Sequence, residues 1–166
     1  MSATSQHTVS VSFTLNGEPR TAEVETHRLL LDVLREDFGL TGAKRSCDVE
    51  VCGTCTVLVD DEAVSSCTML AADVQGRSVL TIEGLASPDG TLHPVQQAFL
   101  EHRALQCGFC TPGFVLSVVD LAGRGPVTRE ELVHHLDGNI CRCTGYEPII
   151  EAALDCVEII DREDSE

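Results

Sequence analysis

Cysteines at positions 47, 52, 55, 67, 107, 110, 141, 143 and 156 carry most of the chemistry this sequence can do. Eight of the nine fall into two groups of four, one in each half of the chain. In CDVEVCGTC, Cys47, Cys52 and Cys55 show the four-then-two intervening spacing of plant-type ferredoxins, with Cys67 following at a distance. A loop that wraps a rhombic iron-sulfur core must bring two thiolates to each iron and turn its peptide N–H groups toward the sulfides. Gly53 lacks a Cβ, so backbone can approach such a core closely. Four thiolates also suit structural zinc, although zinc ribbons usually present two close cysteine pairs rather than three in one loop and a distant fourth.

The second group is less specific. Cys107 and Cys110 form a CGFC pair, and Cys141 and Cys143 a tighter CRC pair; on spacing alone this group suits either zinc or a cluster. Two residues apart, the CRC side chains face one way only along a strand or turn. Cys156 reads as a small buried thiol in the last helix.

The elements that would position these groups change character midway. Val9, Val11, Phe13 and Leu15 alternate with polar residues, Asn16-Gly17 offers a hairpin turn, and Ala22 and Val24 resume the alternation. From Arg28 to Phe38, Leu30, Val33, Leu34 and Phe38 recur at helical spacing before Gly39. Thr56 to Val59, a turn at Asp60-Asp61, a return strand and Val79 to Ile82 complete a sheet. Ser87-Pro88-Asp89-Gly90 is a turn cluster and a candidate linker. Beyond it the period is helical: Pro94 to His102; a helix capped by Thr111 that buries Phe114, Val115, Val118 and Val119 and stops at Gly123; one opened by a Thr128/Glu131 capping box and ending near Gly138-Asn139; and one from Pro148 with Ile149, Ala153, Val157 and Ile160 on one face. The reading is α+β, with a polar N-terminus over 1–7, a first domain over 8–86, a linker over 87–91, a helical domain over 92–161 and an acidic tail over 162–166.

At 166 residues with 43% hydrophobic content the composition is that of a globular protein. Acidic residues outnumber basic ones 27 to 11, a balance that repels nucleic-acid phosphates and anionic headgroups. No window approaches the roughly 18 apolar residues of a spanning helix, and the N-terminus lacks a basic segment followed by an apolar one. A cytoplasmic location and no membrane insertion are the expectation. In a reducing cytosol an odd cysteine count argues for metal ligation over a disulfide framework.

Three motifs in order, CDVEVCGTCTVLVD, ALQCGFCTPGF and GNICRCTGYEPIIEA, closely resemble the iron-sulfur subunit of the xanthine oxidase family of molybdenum hydroxylases over about Val9 to Ile160. The resemblance implies a ferredoxin-like β-grasp domain followed by a four-helix-bundle domain, each with one [2Fe-2S] cluster. By carry-over, Cys47, Cys52, Cys55 and Cys67 bind the flavin-side cluster, while Cys107, Cys110, Cys141 and Cys143 bind the molybdenum-side one. Gln106 matches the family glutamine that hydrogen-bonds the pterin, and Cys143 the ligand lying close to it. The family commonly has glycine where Ser46 stands, so a positive φ there would strain the serine.

The same resemblance implies a large molybdopterin-binding partner, with the pterin as its cytosine dinucleotide, and a medium FAD-binding partner, in a heterotrimer or a dimer of heterotrimers. The chain itself offers no catalytic acid, base or nucleophile constellation: His134-His135 sits on a polar helical stretch and reads as solvated. A free-standing two-cluster carrier and a zinc-stapled interaction module are the competing readings.

Overall fold

Strand β1 (Thr8–Leu15) turns through Asn16 and Gly17 into β2 (Glu18–Glu25), which pairs with it antiparallel. Both turn residues have positive φ, 51° and 82°, as the favoured two-residue hairpin turn demands. Val11, Phe13 and Leu15 are buried on one face, while the Ser12 and Thr21 hydroxyls meet at 3.0 Å. The structure is a computed structural model that describes residues 7–160; the acidic tail and all of the polar start except His7 lie outside the described residues.

The helix expected from Arg28 begins later. Element α1 is Leu30–Asp32 and continues as a π-helical turn, Val33–Asp37, closed by Phe38 N–H donating to the Val33 carbonyl at 3.3 Å. Leu29 forms a β-bridge with Leu70, and Leu30 N–H donates to the Met69 carbonyl at 2.8 Å. Tertiary pairing thus takes the backbone groups that would have started the helix earlier. Gly39, with φ 68°, follows it.

Strands β3 (Thr56–Val59), β4 (Glu62–Ser65) and β5 (Ser78–Leu80) complete a five-stranded mixed sheet of order β2-β1-β5-β3-β4. Only β1 and β5 run parallel. A 3-10 turn at Ala71–Val74 has no counterpart in the sequence reading, and Ile82, expected in the last strand, opens a second 3-10 turn, Ile82–Gly84. All four residues of β3 are buried: Val57 and Val59 enter the core under the sheet, and the helix Thr111–Gly123 packs against the strand. A strand covered on both faces reads as a continuous apolar run.

Ser87 and Gly90 close a hydrogen-bonded turn, after which come α2 (Pro94–Glu101), α3 (Thr111–Gly123), α4 (Arg129–Leu136) and α5 (Glu147–Leu154). Helix α2 packs on α3 and α5, and α4 on the same two, around a second core that includes Phe99, Phe114, Leu132 and Ile149. Ile82 and Leu85 pack against this core rather than the first.

Several helix ends differ from the sequence reading. Cys110, not Thr111, is the N-cap of α3, with Thr111 in the first turn. Val119 is only partly buried. Helix α2 is capped by His93, whose Nδ1 accepts from Val95 N–H at 3.3 Å while Gln96 reaches back to His93 N–H at 3.0 Å. The Thr128/Glu131 capping box is present. Helix α5 stops at Leu154, so Cys156, Val157 and Ile160 lie beyond it; Val127 N–H donates to the Glu158 carbonyl and Ile160 N–H to the Val127 carbonyl, a short pairing that ends the helix. Cys156 is half-buried. His134 is exposed, but His135 is not solvated as expected: its Nε2 lies 3.0 Å from the Ser117 carbonyl and 3.5 Å from the buried Asp120 carboxylate, which Arg124 also holds at 2.7 Å.

Candidate metal centres

The first cysteine loop is wound by left-handed residues. Asp48, Glu50 and Gly53 have φ of 56°, 59° and 65°, so successive peptide N–H groups curl inward, a concavity suited to anions. Ser46 is not among the positive-φ residues, and the strain considered for it does not arise. Arg45 ties the loop to Asp48 at 2.7 Å and to Asp32, while Lys44 N–H donates to the Thr54 carbonyl at 2.8 Å.

Val51 N–H donates to Cys47 Sγ at 3.4 Å. The N–H groups of Val49 and Val51, with the Cys52 thiol, pull the Cys47 thiol down to about 6, which makes it a ready thiolate ligand. Cys55 is pushed up to about 12 by burial, with Cys67 as its thiol neighbour. Cys67 reaches Cys55 because β3 and β4 form a hairpin that sets Thr56 opposite Ser65. Ser66 fixes the join: its hydroxyl donates to the Cys55 carbonyl at 2.6 Å.

The second group is assembled at helix ends. Cys107 precedes Gly108, which has φ 77°, and Cys110 caps α3. Cys141 and Cys143 lie between α4 and α5, and Tyr146 holds that segment: its hydroxyl accepts from Cys141 N–H at 3.1 Å and its ring meets Phe114 edge-on at 6.3 Å. Cys143 Sγ lies 3.5 Å from Cys107 Sγ. That is far beyond a disulfide bond of about 2.05 Å and near the roughly 3.8 Å between two thiolates on one tetrahedral metal with bonds of about 2.3 Å.

The Phe109 N–H, followed by the Cys143 thiol, draws the Cys107 thiol down. Its neighbour Cys107 raises Cys143. Burial pushes Cys110 up to about 12, with Cys141 beside it. Burial opposes ionisation of Cys141 too, but the Thr144 hydroxyl, at 3.2 Å, and the Thr144 and Cys143 N–H groups bring it below the ordinary thiol value.

Within each group the thiols face one another side chain to side chain, Cys47 with Cys52 and Cys55 with Cys67, then Cys107 with Cys143 and Cys110 with Cys141. The two pairs of a group are themselves neighbours, Cys52 acting on Cys55 and Cys141 on Cys107. Among the described residues no three or more His, Cys, Asp or Glu converge so as to hold one metal ion. Paired thiols suit a two-metal core, one pair per metal, better than a single tetrahedral ion. The donor set, all sulfur with inward peptide N–H groups, fits a [2Fe-2S] cluster.

The two groups adjoin. Ile140 N–H donates to the Cys52 carbonyl at 3.0 Å, and a cavity of about 220 Å³ is lined by Ser46, Cys52 and Thr54 from the first half and Cys107, Cys110 and Cys143 from the second. Gln106 is exposed beside the exposed Cys107; among the described residues no hydrogen bond joins it to either group. Thr144, Tyr146 and Gly113 were not read as site residues from sequence, and Asn139 was read only as a helix end, although all four lie inside the quoted motifs.

Two families match in succession: residues 13–81 match the family described as 2Fe-2S iron-sulfur cluster binding domain, and residues 81–154 the [2Fe-2S] binding domain. The chain is 50% identical over 148 residues to the nicotine 6-hydroxylase small subunit of Paenarthrobacter nicotinovorans, covering 89% of this chain and 88% of that one. It is 44% identical to the nicotinate dehydrogenase small FeS subunit of Eubacterium barkeri, covering 90% and 96%. Quinoline 2-oxidoreductase from Pseudomonas putida 86 superposes with a TM-score of 0.84 at 45% identity over 91% of this chain and 93% of that one. The aldehyde oxidoreductase of Desulfovibrio desulfuricans gives 0.82 at 41% identity, covering 89% of this chain and 17% of that longer one.

Proposed function

The chain belongs to the iron-sulfur small subunits of the xanthine oxidase family of molybdenum hydroxylases, and from that premise we propose that it relays electrons from a molybdopterin site to FAD, both carried by partner chains. Two [2Fe-2S] clusters are its cofactors. Cys47, Cys52, Cys55 and Cys67 hold the first, and Cys107, Cys110, Cys141 and Cys143 the second. The observation that carries this reading is the gathering of four thiols in each half beside backbone and hydroxyl donors to sulfur, with Cys143 Sγ 3.5 Å from Cys107 Sγ, Val51 N–H on Cys47 Sγ and the Thr144 hydroxyl on Cys141 Sγ.

When bound, each cluster accepts and donates one electron at a time, which divides a two-electron oxidation into single steps. The chain's own residues set the conditions. Thiolates hold the metals; Val51 N–H and the Thr144 hydroxyl donate to cysteine sulfur, which favours the more reduced state. Burial of Cys55 and Cys67 keeps water from one side of the first group. Gln106 and the exposed Cys143 face the pterin, and the exposed Cys47 loop faces FAD. The substrate reacts on the molybdenum partner and no active site lies on this chain. We read domains over 8–86 and 92–161, the latter a four-helix bundle, and a heterotrimer with large molybdopterin and medium FAD subunits in the cytoplasm. No helix among the described residues is long and apolar enough to cross a membrane.

A subunit is favoured over a free-standing carrier by the apolar residues around both groups. Val49 and Val51 beside Cys47 are 64% and 56% exposed, and Phe109 and Ile140 beside the second group 45% and 47%. Apolar rims of this kind suit permanent cover by a partner. The test is electron paramagnetic resonance of the dithionite-reduced, co-expressed complex with iron and acid-labile sulfide analysis. Two distinct signals and about four irons per chain are expected. Zinc without sulfide, or a small chain that purifies apart from any partner, would overturn the reading.

A further inference from the structure

Asn139 connects the two cysteine groups through a buried amide. It is 4% exposed; its Nδ2 donates to the Gly53 carbonyl at 3.2 Å and its Oδ1 accepts from the Ser117 hydroxyl at 3.0 Å. Turning the amide over would set its oxygen against the Gly53 oxygen, so only one orientation satisfies both partners. The next residue continues the pattern, with Ile140 N–H on the Cys52 carbonyl at 3.0 Å. Two consecutive carbonyls of the first cysteine loop are thus held by the two residues that lead into Cys141.

The C=O and N–H of a trans peptide unit point in opposite directions, and no peptide here is cis. With the Cys52 and Gly53 carbonyls drawn toward Asn139 and Ile140, the N–H groups of Gly53 and Thr54 turn the other way, back into their own loop. Residues 52–54 are buried, yet neither N–H meets an acceptor among the described residues. Buried N–H groups without a partner are rare, and two aimed into a cysteine loop suit an anionic metal-sulfur core.

We propose that Asn139, a residue of the helical half, is a positioning residue for the first cluster: it fixes the Cys52–Thr54 peptides so that the Gly53 and Thr54 N–H groups face the group held by Cys47, Cys52, Cys55 and Cys67. The inference rests on the cluster assignment above. Reduction adds negative charge, which these donors stabilise, so Asn139 raises the potential of the first cluster. Thr56 also donates to the Gly53 carbonyl, from its hydroxyl at 2.8 Å, so removing Asn139 weakens the arrangement without abolishing it.

The test compares Asn139→Ala and Ser117→Ala with the unaltered protein in the co-expressed complex. A redox titration is followed by paramagnetic resonance, the first-group signal being the one lost in Cys67→Ser. Asn139→Ala is expected to keep its iron and sulfide while the reduced-to-oxidised ratio at the original first-group midpoint falls three- to tenfold, a tenfold fall being about 59 mV for a one-electron couple. Ser117→Ala, which removes only the group that orients the amide, gives a smaller shift of the same sign, and the second-group midpoint stays in place. An unmoved first-group midpoint, or an equal shift of both, overturns the proposal. If Asn139→Ala loses iron, Ser117→Ala decides by the same criterion. Absence of the two signals from the unaltered protein would instead overturn the cluster assignment.

Discussion

Gly113→Ala sets helix propensity against tertiary packing with opposite signs. Gly113 lies in the first turn of α3, and there alanine is favoured over glycine by about 0.8–1 kcal/mol for an isolated helix interior, less near an end. In the fold, a Cβ at this position would land inside the van der Waals shell of the Gly53 carbonyl oxygen, 3.1 Å from its carbon and 3.2 Å from Asn139 Nδ2. None of these atoms can swing aside: the oxygen already accepts from Asn139 and Thr56, and the peptide is part of the first cysteine loop. Overpacking costs about 1–3 kcal/mol, so the net loss is about 0–2 kcal/mol after the propensity gain. For a chain of this size each kcal/mol moves the melting temperature by about 2–4 °C, giving a fall of up to about 8 °C. Gly123→Ala, at the other end of the same helix with nothing within 4 Å of the added Cβ, supplies the opposite expectation, a rise of up to about 4 °C. Both are read by far-ultraviolet circular dichroism melts of the cluster-loaded protein. A Gly113→Ala variant as stable as Gly123→Ala would refute the claim that the helix and the cysteine loop meet backbone to backbone.

Cys67→Ser removes one thiol of the Cys55 pair and should lower the iron content from about four to about two per chain while the second paramagnetic signal persists; loss of both signals would mean that the two groups do not load independently. His93 caps α2 through Nδ1 and burial holds its pKa below the ordinary histidine value. The neutral ring is therefore favoured in the fold, so its contribution is complete above about pH 6.5 and is lost as pH falls from there toward the lower folded value. His93→Asn keeps a capping acceptor without a titrating group. Its melting temperature should fall less than that of the unaltered protein between about pH 7.5 and about pH 5.5, and equal falls would count against the assignment.

The hairpin, the strands around Asp60-Asp61 and the capping box of α4 follow from local rules, because alternation and turn chemistry act over a few residues. The places where the structure departs are those where distant backbone intervenes. Leu29 bridges to Leu70 and delays α1; residues 158–160 pair with Val127 and end α5 early; His135 meets Asp120 from the neighbouring helix. No window of sequence contains both halves of such contacts.

The cysteines obey the same division. Sequence alone showed the Cys47/Cys52/Cys55 run and the CGFC and CRC pairs, because each of these spacings is local; that Cys67 completes the first group and that the two pairs form one second group came from the family pattern of three ordered motifs. The tertiary structure decided which thiols stand together, since Cys67 meets Cys55 only through the β3–β4 hairpin. It also decided that one half reaches into the other, through Asn139 and a carbonyl 86 residues away. A hydrogen bond of that span depends on how two cores dock, and docking leaves no periodic trace in the chain.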